Sequence, residues 1–186
     1  MEKENSFNIV IDKNKPENLC ERSETEKRVY EVLEKLNIQY TRAEHKKADT
    51  MDICNEISKV LETKICKNLF LCNRNKTEFY LLMMPADKPF KTKEVSKQIG
   101  CSRLSFADDT FMEKFLDTKS GSLSVLGLMN DKQNTVRLLI DRPVVENSTI
   151  GCHPCVSTTS LKIATSDILN VFLPYTNHTP TIIDLP

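Results

Sequence analysis

Two apolar runs a few residues apart constrain this chain more than any other feature. Leu69-Phe70-Leu71-Cys72 and Phe79-Tyr80-Leu81-Leu82-Met83-Met84 flank the polar segment Asn73-Arg74-Asn75-Lys76. Short apolar runs bounded by turn residues read as buried strands, and the short gap predicts a β-hairpin. Pro85 ends the second run because proline has no ladder donor. Lys67-Asn68 stand at the mouth of the first strand. Lysine is seldom buried without a partner, so on periodicity alone Lys67 is an ordinary edge lysine.

Around the hairpin the pattern moves between helix and strand. Residues 1–22 read as an N-terminal extension, with Phe7, Ile9, Val10 and Ile11 as one docked strand. Ser23-Glu24-Thr25-Glu26 fits a capping box. Val29, Val32, Leu33 and Leu36 follow at helical spacing, and Asn37 suits the end of that helix. Residues 38–45 read as a strand, and Thr50 as the cap of a second helix with Ile53, Ile57, Val60 and Leu61 on its apolar face. Thr92 opens a short helix that Gly100 closes. Arg103–Phe106 is an extended link, and Asp108 or Asp109 caps a helix carrying Phe111, Met112, Phe115 and Leu116. From Ser120 strands are expected, at 122–129 and 135–140 around a hairpin turn at 130–133, then at 148–153 and 157–163. Thr165 or Ser166 caps a last helix through Leu173, and 181–185 close as a strand. Early helices and later hairpin-joined strands predict one α/β domain over 23–186, a mixed sheet with helices packed on it.

Length and composition bound the function. The chain has 186 residues, 39% apolar and 28% charged, enough to bury a real core. No apolar run approaches the ~18 residues of a membrane helix, and the polar start Met1-Glu2-Lys3-Glu4-Asn5-Ser6 lacks the apolar centre of a secretory signal. A cytoplasmic protein without membrane association is expected. Lys+Arg and Asp+Glu balance at 26 each, which argues against coating nucleic acid or membrane by bulk charge. A local basic run remains, Lys88, Lys91, Lys93, Lys97 and Arg103, which reads either as phosphate contacts or as a solvated helix face. Seven cysteines, an odd number, are expected as free thiols rather than a disulfide framework.

Cys152-His153-Pro154-Cys155 has the spacing of a thiol–disulfide motif or half a zinc site. The motif stands near the C-terminus, and no second C-x-x-C or H-x-x-x-H supplies the other two ligands, although His45, His178, Cys66 and Cys72 are candidates. A turn with incidental thiols is the favoured reading. There is no G-x-S-x-G, Walker loop or G-x-G-x-x-G. Asp108-Asp109 suits a helix cap better than an acid–base pair. In Gly121-Ser122-Leu123-Ser124-Val125-Leu126-Gly127, two glycines bracket a hydroxyl-rich segment, which reads as a ligand-binding loop or as a turn and a bulge.

Four segments in order carry a family resemblance: Lys67-Asn68-Leu69-Phe70-Leu71, Gly100-Cys101-Ser102-Arg103-Leu104-Ser105-Phe106, Gly121 through Asp131, and His153-Pro154. Over residues 23–185 the chain resembles the YbaK/prolyl-tRNA-synthetase-associated domain family, most of all its freestanding ProX (PrdX) type. The resemblance implies an α/β fold with a largely antiparallel, barrel-like mixed sheet surrounded by helices. It implies a deacylase acting in trans on the ester of mischarged Ala-tRNA(Pro), with no metal and no cofactor. Lys67 falls on the family's essential lysine and is the expected catalytic residue. Asn68, Arg103, Gly121, Ser122, Ser124, Gly127 and His153 are the expected substrate-binding residues. The partner implied is the acceptor end of tRNA(Pro), with prolyl-tRNA synthetase a further candidate, and a monomer or weak dimer is expected. Val125 stands where many relatives place the proline of a G-x-x-x-P loop. Deacylation of a Cys- or Ser-charged tRNA is therefore an alternative, as is a tRNA-binding regulator without hydrolysis. A zinc or thiol-redox protein comes third.

Overall fold

The computed structural model describes residues 9–47 and 51–186. The expected contributions of Phe7 and Thr50 lie outside the described residues. The first elements are β1 (Val10–Asp12), α1 (Glu24–Lys35), β2 (Tyr40–Glu44) and α2 (Met51–Leu61). The Ser23 hydroxyl accepts from the Glu26 amide at 3.2 Å, as a cap should, while the Glu26 carboxylate meets Arg22, also at 3.2 Å. Asn37, at a left-handed φ of 54°, follows the end of α1.

β3 (Cys66–Asn73) and β4 (Phe79–Pro85) form the expected hairpin, in register from Cys66↔Pro85 to Cys72↔Phe79. The Asn73 side-chain oxygen builds the turn by accepting from the amides of Thr77 (2.9 Å) and Glu78 (3.2 Å). α3 (Thr92–Ile99) ends at Gly100, whose φ of 69° suits the cap. β5 (Leu104–Phe106) and α4 (Asp109–Leu116) follow.

The next segment departs from expectation. Residues 122–129, expected as a strand, contain a 3₁₀ helix at Val125–Asn130. The expected hairpin at 130–133 is absent, because β6 (Val136–Asp141) pairs in parallel with β4. The Ser124 hydroxyl starts the helical turn by accepting from the Leu126 amide at 3.2 Å. Val125 through Met129 are all buried, and a run buried on every side has no periodicity to separate strand from helix.

α5 (Arg142–Glu146), β7 (Thr149–Cys152) and β8 (Thr159–Ala164) come next. The last helix runs from α6 (Thr165–Asp167) through a π-helical stretch, Ile168–Phe172, to α7 (Leu173–Tyr175), before β9 (Thr181–Ile183). Its cap is Ala164 rather than Thr165 or Ser166. Thr165 already lies within the helix, and its hydroxyl donates to the Asn147 carbonyl at 2.5 Å.

The strands form two sheets, β1-β2-β8-β7 and β5-β3-β4-β6-β9. The first is antiparallel throughout; the second turns parallel at β4–β6–β9. Among the described residues the sheets do not close into a barrel; an isolated parallel bridge, Ile65 to Gly151, links them. Phe70, Met83 and Leu138 from one sheet share a core with Ile150, Leu161 and Ile163 from the other. The far face of the larger sheet packs Leu71, Leu82 and Leu139 against Val95 of α3 and the C-terminal Ile183 and Leu185. Residues 9–22 supply an edge strand and half of an ionic cluster, in which Arg42 meets Asp12 (3.2 Å) and Glu44, and Arg22 meets Glu26 and Glu44. No helix among the described residues is long and apolar enough to cross a membrane.

Candidate functional site

The site is organised by the seam between the sheets. The Gly151 amide donates to the Lys64 carbonyl at 2.9 Å. A Cβ at Gly151 would collide with the Ile65 side chain and come within 3.1 Å of both Ile65 Cα and the Lys64 carbonyl oxygen. Only glycine lets β7 approach β3 this closely. Because the Ile65–Gly151 bridge is parallel, Lys67 and His153 each follow it by two residues and lie at the same end of the seam. Along β3, Cys66, Phe70 and Cys72 enter the core between the sheets, whereas Leu69 and Leu71 face the other side. Strand alternation therefore sends Lys67 and Asn68 to opposite faces.

Half-buried Lys67 donates from Nζ to the backbone carbonyl of Lys88. An ammonium has three protons to give, so two remain for a ligand. The position of that carbonyl is set by Lys88 itself, whose Nζ meets Asp141 Oδ2 at 2.8 Å and the Leu185 carbonyl. Asp141 is fully buried, and its Oδ1 accepts from the Leu185 amide at 2.9 Å. On the opposite face, Asn68 Oδ1 is buried without a hydrogen-bond partner, as are the hydroxyls of Tyr30, Thr118 and Thr159. An unpaired buried acceptor costs about 1–3 kcal/mol, and Asn68 is the one beside Lys67. Cys66, two residues away on the same face, neighbours Cys152, whose thiol is hydrogen-bonded by Ser124.

The two histidines near the seam have their tautomers fixed by their partners. His153 Nδ1 lies 2.8 Å from the Thr159 carbonyl. A carbonyl only accepts, so the neutral ring carries its proton on Nδ1 and leaves the lone pair on Nε2. His45 is set the same way, Nδ1 donating to the Lys46 carbonyl at 2.8 Å and Nε2 accepting from the Ser160 hydroxyl at 2.9 Å. The ring centroids are 6.5 Å apart. Burial pushes both imidazoles below the usual histidine range, and the nearby His45 adds to the effect on His153. Both rings are neutral at pH 7.

A cavity of about 210 Å³ opens beside the start of β3, lined by Cys54 and Ser58 of α2, Ile65, Cys66, Pro85 and Val144. It is smaller than the roughly 300–1,000 Å³ of drug-sized sites. Cys66 and Pro85 are cross-strand partners, so the cavity wall adjoins Lys67.

The other expected residues are spread out. Ser124 is buried at the start of the 3₁₀ turn, and Gly127 is buried where a Cβ would come within 3.2 Å of the Leu116 carbonyl oxygen. Exposed Gly121 adopts a φ of 86° in a turn closed by the Ser122 amide donating to the Lys119 carbonyl at 3.0 Å. Arg103 is exposed just before β5, whose Leu104 pairs with Asn73 at the far end of β3. Lys67, Asn68, Ser124 and His153 thus gather around the seam, and Arg103 does not. The cysteines at 152 and 155 are buried free thiols, and burial pushes Cys152 up and Cys66 and Cys155 up to about 12. Such thiols are not nucleophilic at neutral pH. The zinc candidates are dispersed, His178 pairing with Asp131 at 3.2 Å and His45 with Ser160, and among the described residues no three His, Cys, Asp or Glu side chains could hold a metal ion.

Sequence reasoning missed Gly151, the Lys88–Asp141 pair and the bearing of His45 on His153. Gly151, in an extended segment directly before Cys152-His153, carried a usable signal, since strand glycines mark close backbone approach. The Lys88–Asp141 pair, 53 residues apart in sequence, carried none.

Comparisons with known proteins give the family and the fold. The aminoacyl-tRNA editing domain family matches residues 45–171. The prolyl-tRNA synthetase associated domain-containing protein 1 of Danio rerio is 30% identical over 84% of this chain and 85% of its own length. The prolyl-tRNA editing protein ProX of Acetoanaerobium sticklandii is 29% identical over 73% of this chain and 83% of its own. The crystal structure of a candidate trans-editing enzyme for prolyl-tRNA synthetase superposes with a TM-score of 0.65 at 11% identity, covering 89% of this chain and 99% of that one, a likeness of fold. The chain belongs to the aminoacyl-tRNA editing domain family.

Proposed function

We propose that the protein is a trans-editing deacylase that hydrolyses the ester of mischarged Ala-tRNA(Pro), with prolyl-tRNA synthetase the source of the error. The observation that carries this reading is the half-buried Lys67 ammonium at the mouth of the seam, with protons left to give, together with the buried, unpartnered Asn68 oxygen on the core face of the same strand. The relatives' names supply the prolyl-tRNA context.

An aminoacyl ester is already activated, so the protein needs chiefly to hold it, place water and stabilise the developing oxyanion. The two remaining Lys67 protons serve a phosphate or the ester oxygen. Asn68 Oδ1 accepts from the substrate's α-amino group. Water adds to the ester carbonyl carbon and gives its proton to His153 Nε2. The carbon–oxygen bond to the ribose then breaks, and the proton passes to the ribose oxygen, releasing alanine and free tRNA.

The test is alanine release from Ala-tRNA(Pro) by the wild type and by Lys67→Ala. Loss of a charged donor to a developing oxyanion predicts a drop in kcat/KM of about 10²–10³-fold, with a nearly unchanged thermal melt. Alanine release no faster than in buffer contradicts the reading, and a collapse of the melt in the variant makes Lys67 structural. Faster release of cysteine or serine moves the specificity to those residues, and salt-dependent tRNA binding without turnover points to the regulator.

A further inference from the structure

The face of the larger sheet that carries Lys67 also carries two aromatic rings and a set of uncompensated cations. β5 is the edge strand of that sheet, and its Phe106 pairs in register with Leu71. Cross-strand partners share a face, and Leu71 lies on the same face as Leu69 and Phe90. Leu71 is fully buried, whereas Phe106 is 60% exposed. The Phe90 and Phe106 rings are 5.6 Å apart at 58°, so Phe90 braces Phe106 while leaving it open to solvent. α3 packs against β5. Lys91 follows Phe90 directly, Lys93 and Lys97 lie on α3, and Arg103 stands just before β5; all four are exposed, and among the described residues none of them pairs with a carboxylate. Lys67 is four residues before Leu71 on the same strand face, about 13 Å away at ~3.3 Å per residue.

A single exposed phenylalanine needs no explanation. A braced ring on an edge strand, flanked by unpaired cations and in line with a half-buried lysine, has the chemistry of a single-stranded RNA site. Rings offer stacking to any base, while lysine and arginine take the phosphates. We propose that Phe106, supported by Phe90, is a stacking platform for an unpaired base at the 3′ end of the RNA whose terminus reaches Lys67, with Lys91, Lys93 and Arg103 holding its phosphates. The proposal rests on the deacylase reading for the identity of the RNA, and not for the stacking itself.

The experiment titrates uncharged tRNA(Pro) carrying 2-aminopurine in place of its terminal adenosine. Wild-type protein binds and quenches the probe. Phe106→Ala weakens binding roughly 5- to 150-fold, the range expected for one lost base stack, and reduces the quench. Phe106→Trp restores both. Thermal melts serve as the control, since Phe106 lies mostly outside the core. Binding and quench in Phe106→Ala equal to wild type overturn the platform, as does failure of the wild type to bind. Phe106-dependent binding in a protein that releases no alanine keeps the platform and removes the deacylase. Full alanine release by Phe106→Ala at subsaturating Ala-tRNA(Pro) does the reverse.

Discussion

His153 holds its proton on Nδ1 against the Thr159 carbonyl, and burial makes its cationic form costly. The folded values of His45 and His153 both lie below the ordinary 6.5, so as pH falls the unfolded chain takes up protons first. The stability they contribute is complete above about pH 6.5 and is lost as pH falls through the lowered folded values. Thermal melts from pH 7.5 to 5 should decline accordingly, and His153→Gln should flatten part of the decline. The acidic limb of kcat/KM should have its midpoint below 6.5, and a midpoint above 6.5 excludes neutral His153 as the base. Lys67 and Asn68 were legible only through the family resemblance, since periodicity makes Lys67 an edge lysine. The histidine tautomers were not legible at all, because they depend on backbone carbonyls, Lys46 for His45 and Thr159 of β8 for His153, whose direction only the folded chain sets.

Among the elements, β3 is held from both sides, by Gly151 at its start and by the Lys88–Asp141–Leu185 contacts that receive Lys67. Gly151→Ala forces the Ile65 and Lys64 backbone away and should cost about 1–3 kcal/mol as an overpacking change, with a fall in deacylation as the seam opens. Asp141→Asn leaves Lys88 without its buried counter-charge; breaking such a pair costs about 3 kcal/mol or more. The Lys67 acceptor moves with it, so kcat should fall more than KM rises. A denaturant midpoint equal to wild type in either variant refutes that variant's structural account. The β3–β4 hairpin was legible because its strands are short, apolar and bounded by a polar turn. Residues 122–129 were not, because a fully buried run looks the same as strand or helix, and the Ser124 cap that decides it is a local detail.

At the scale of the whole molecule, two sheets share one core, and the N-terminal residues belong to that assembly. β1 covers the edge of β2, while Arg22 and Asp12 complete the pairing of Glu26, Glu44 and Arg42. Glu26 and Arg42 are only 3% and 6% exposed, and buried charges left without partners are costly. A chain beginning at Ser23 should therefore melt several degrees lower than the full chain, and an unchanged melt would make residues 1–22 dispensable. Outside residues 122–130 and the unexpected helix α5, most of the division between helices and strands could be read from the sequence, but the parallel β4–β6–β9 arrangement and the open seam could not. Both depend on long-range pairing that no local pattern records. The central claim is that this seam, with Lys67 at its mouth, hydrolyses a mischarged prolyl-tRNA. Its most direct test is single-turnover release of alanine from Ala-tRNA(Pro), measured side by side for wild type and Lys67→Ala. The account predicts release well above buffer for the wild type, a loss of about 10²–10³-fold in the variant, and matching thermal melts. Wild-type release at the rate of buffer, or a folded Lys67→Ala protein as active as wild type, would contradict it.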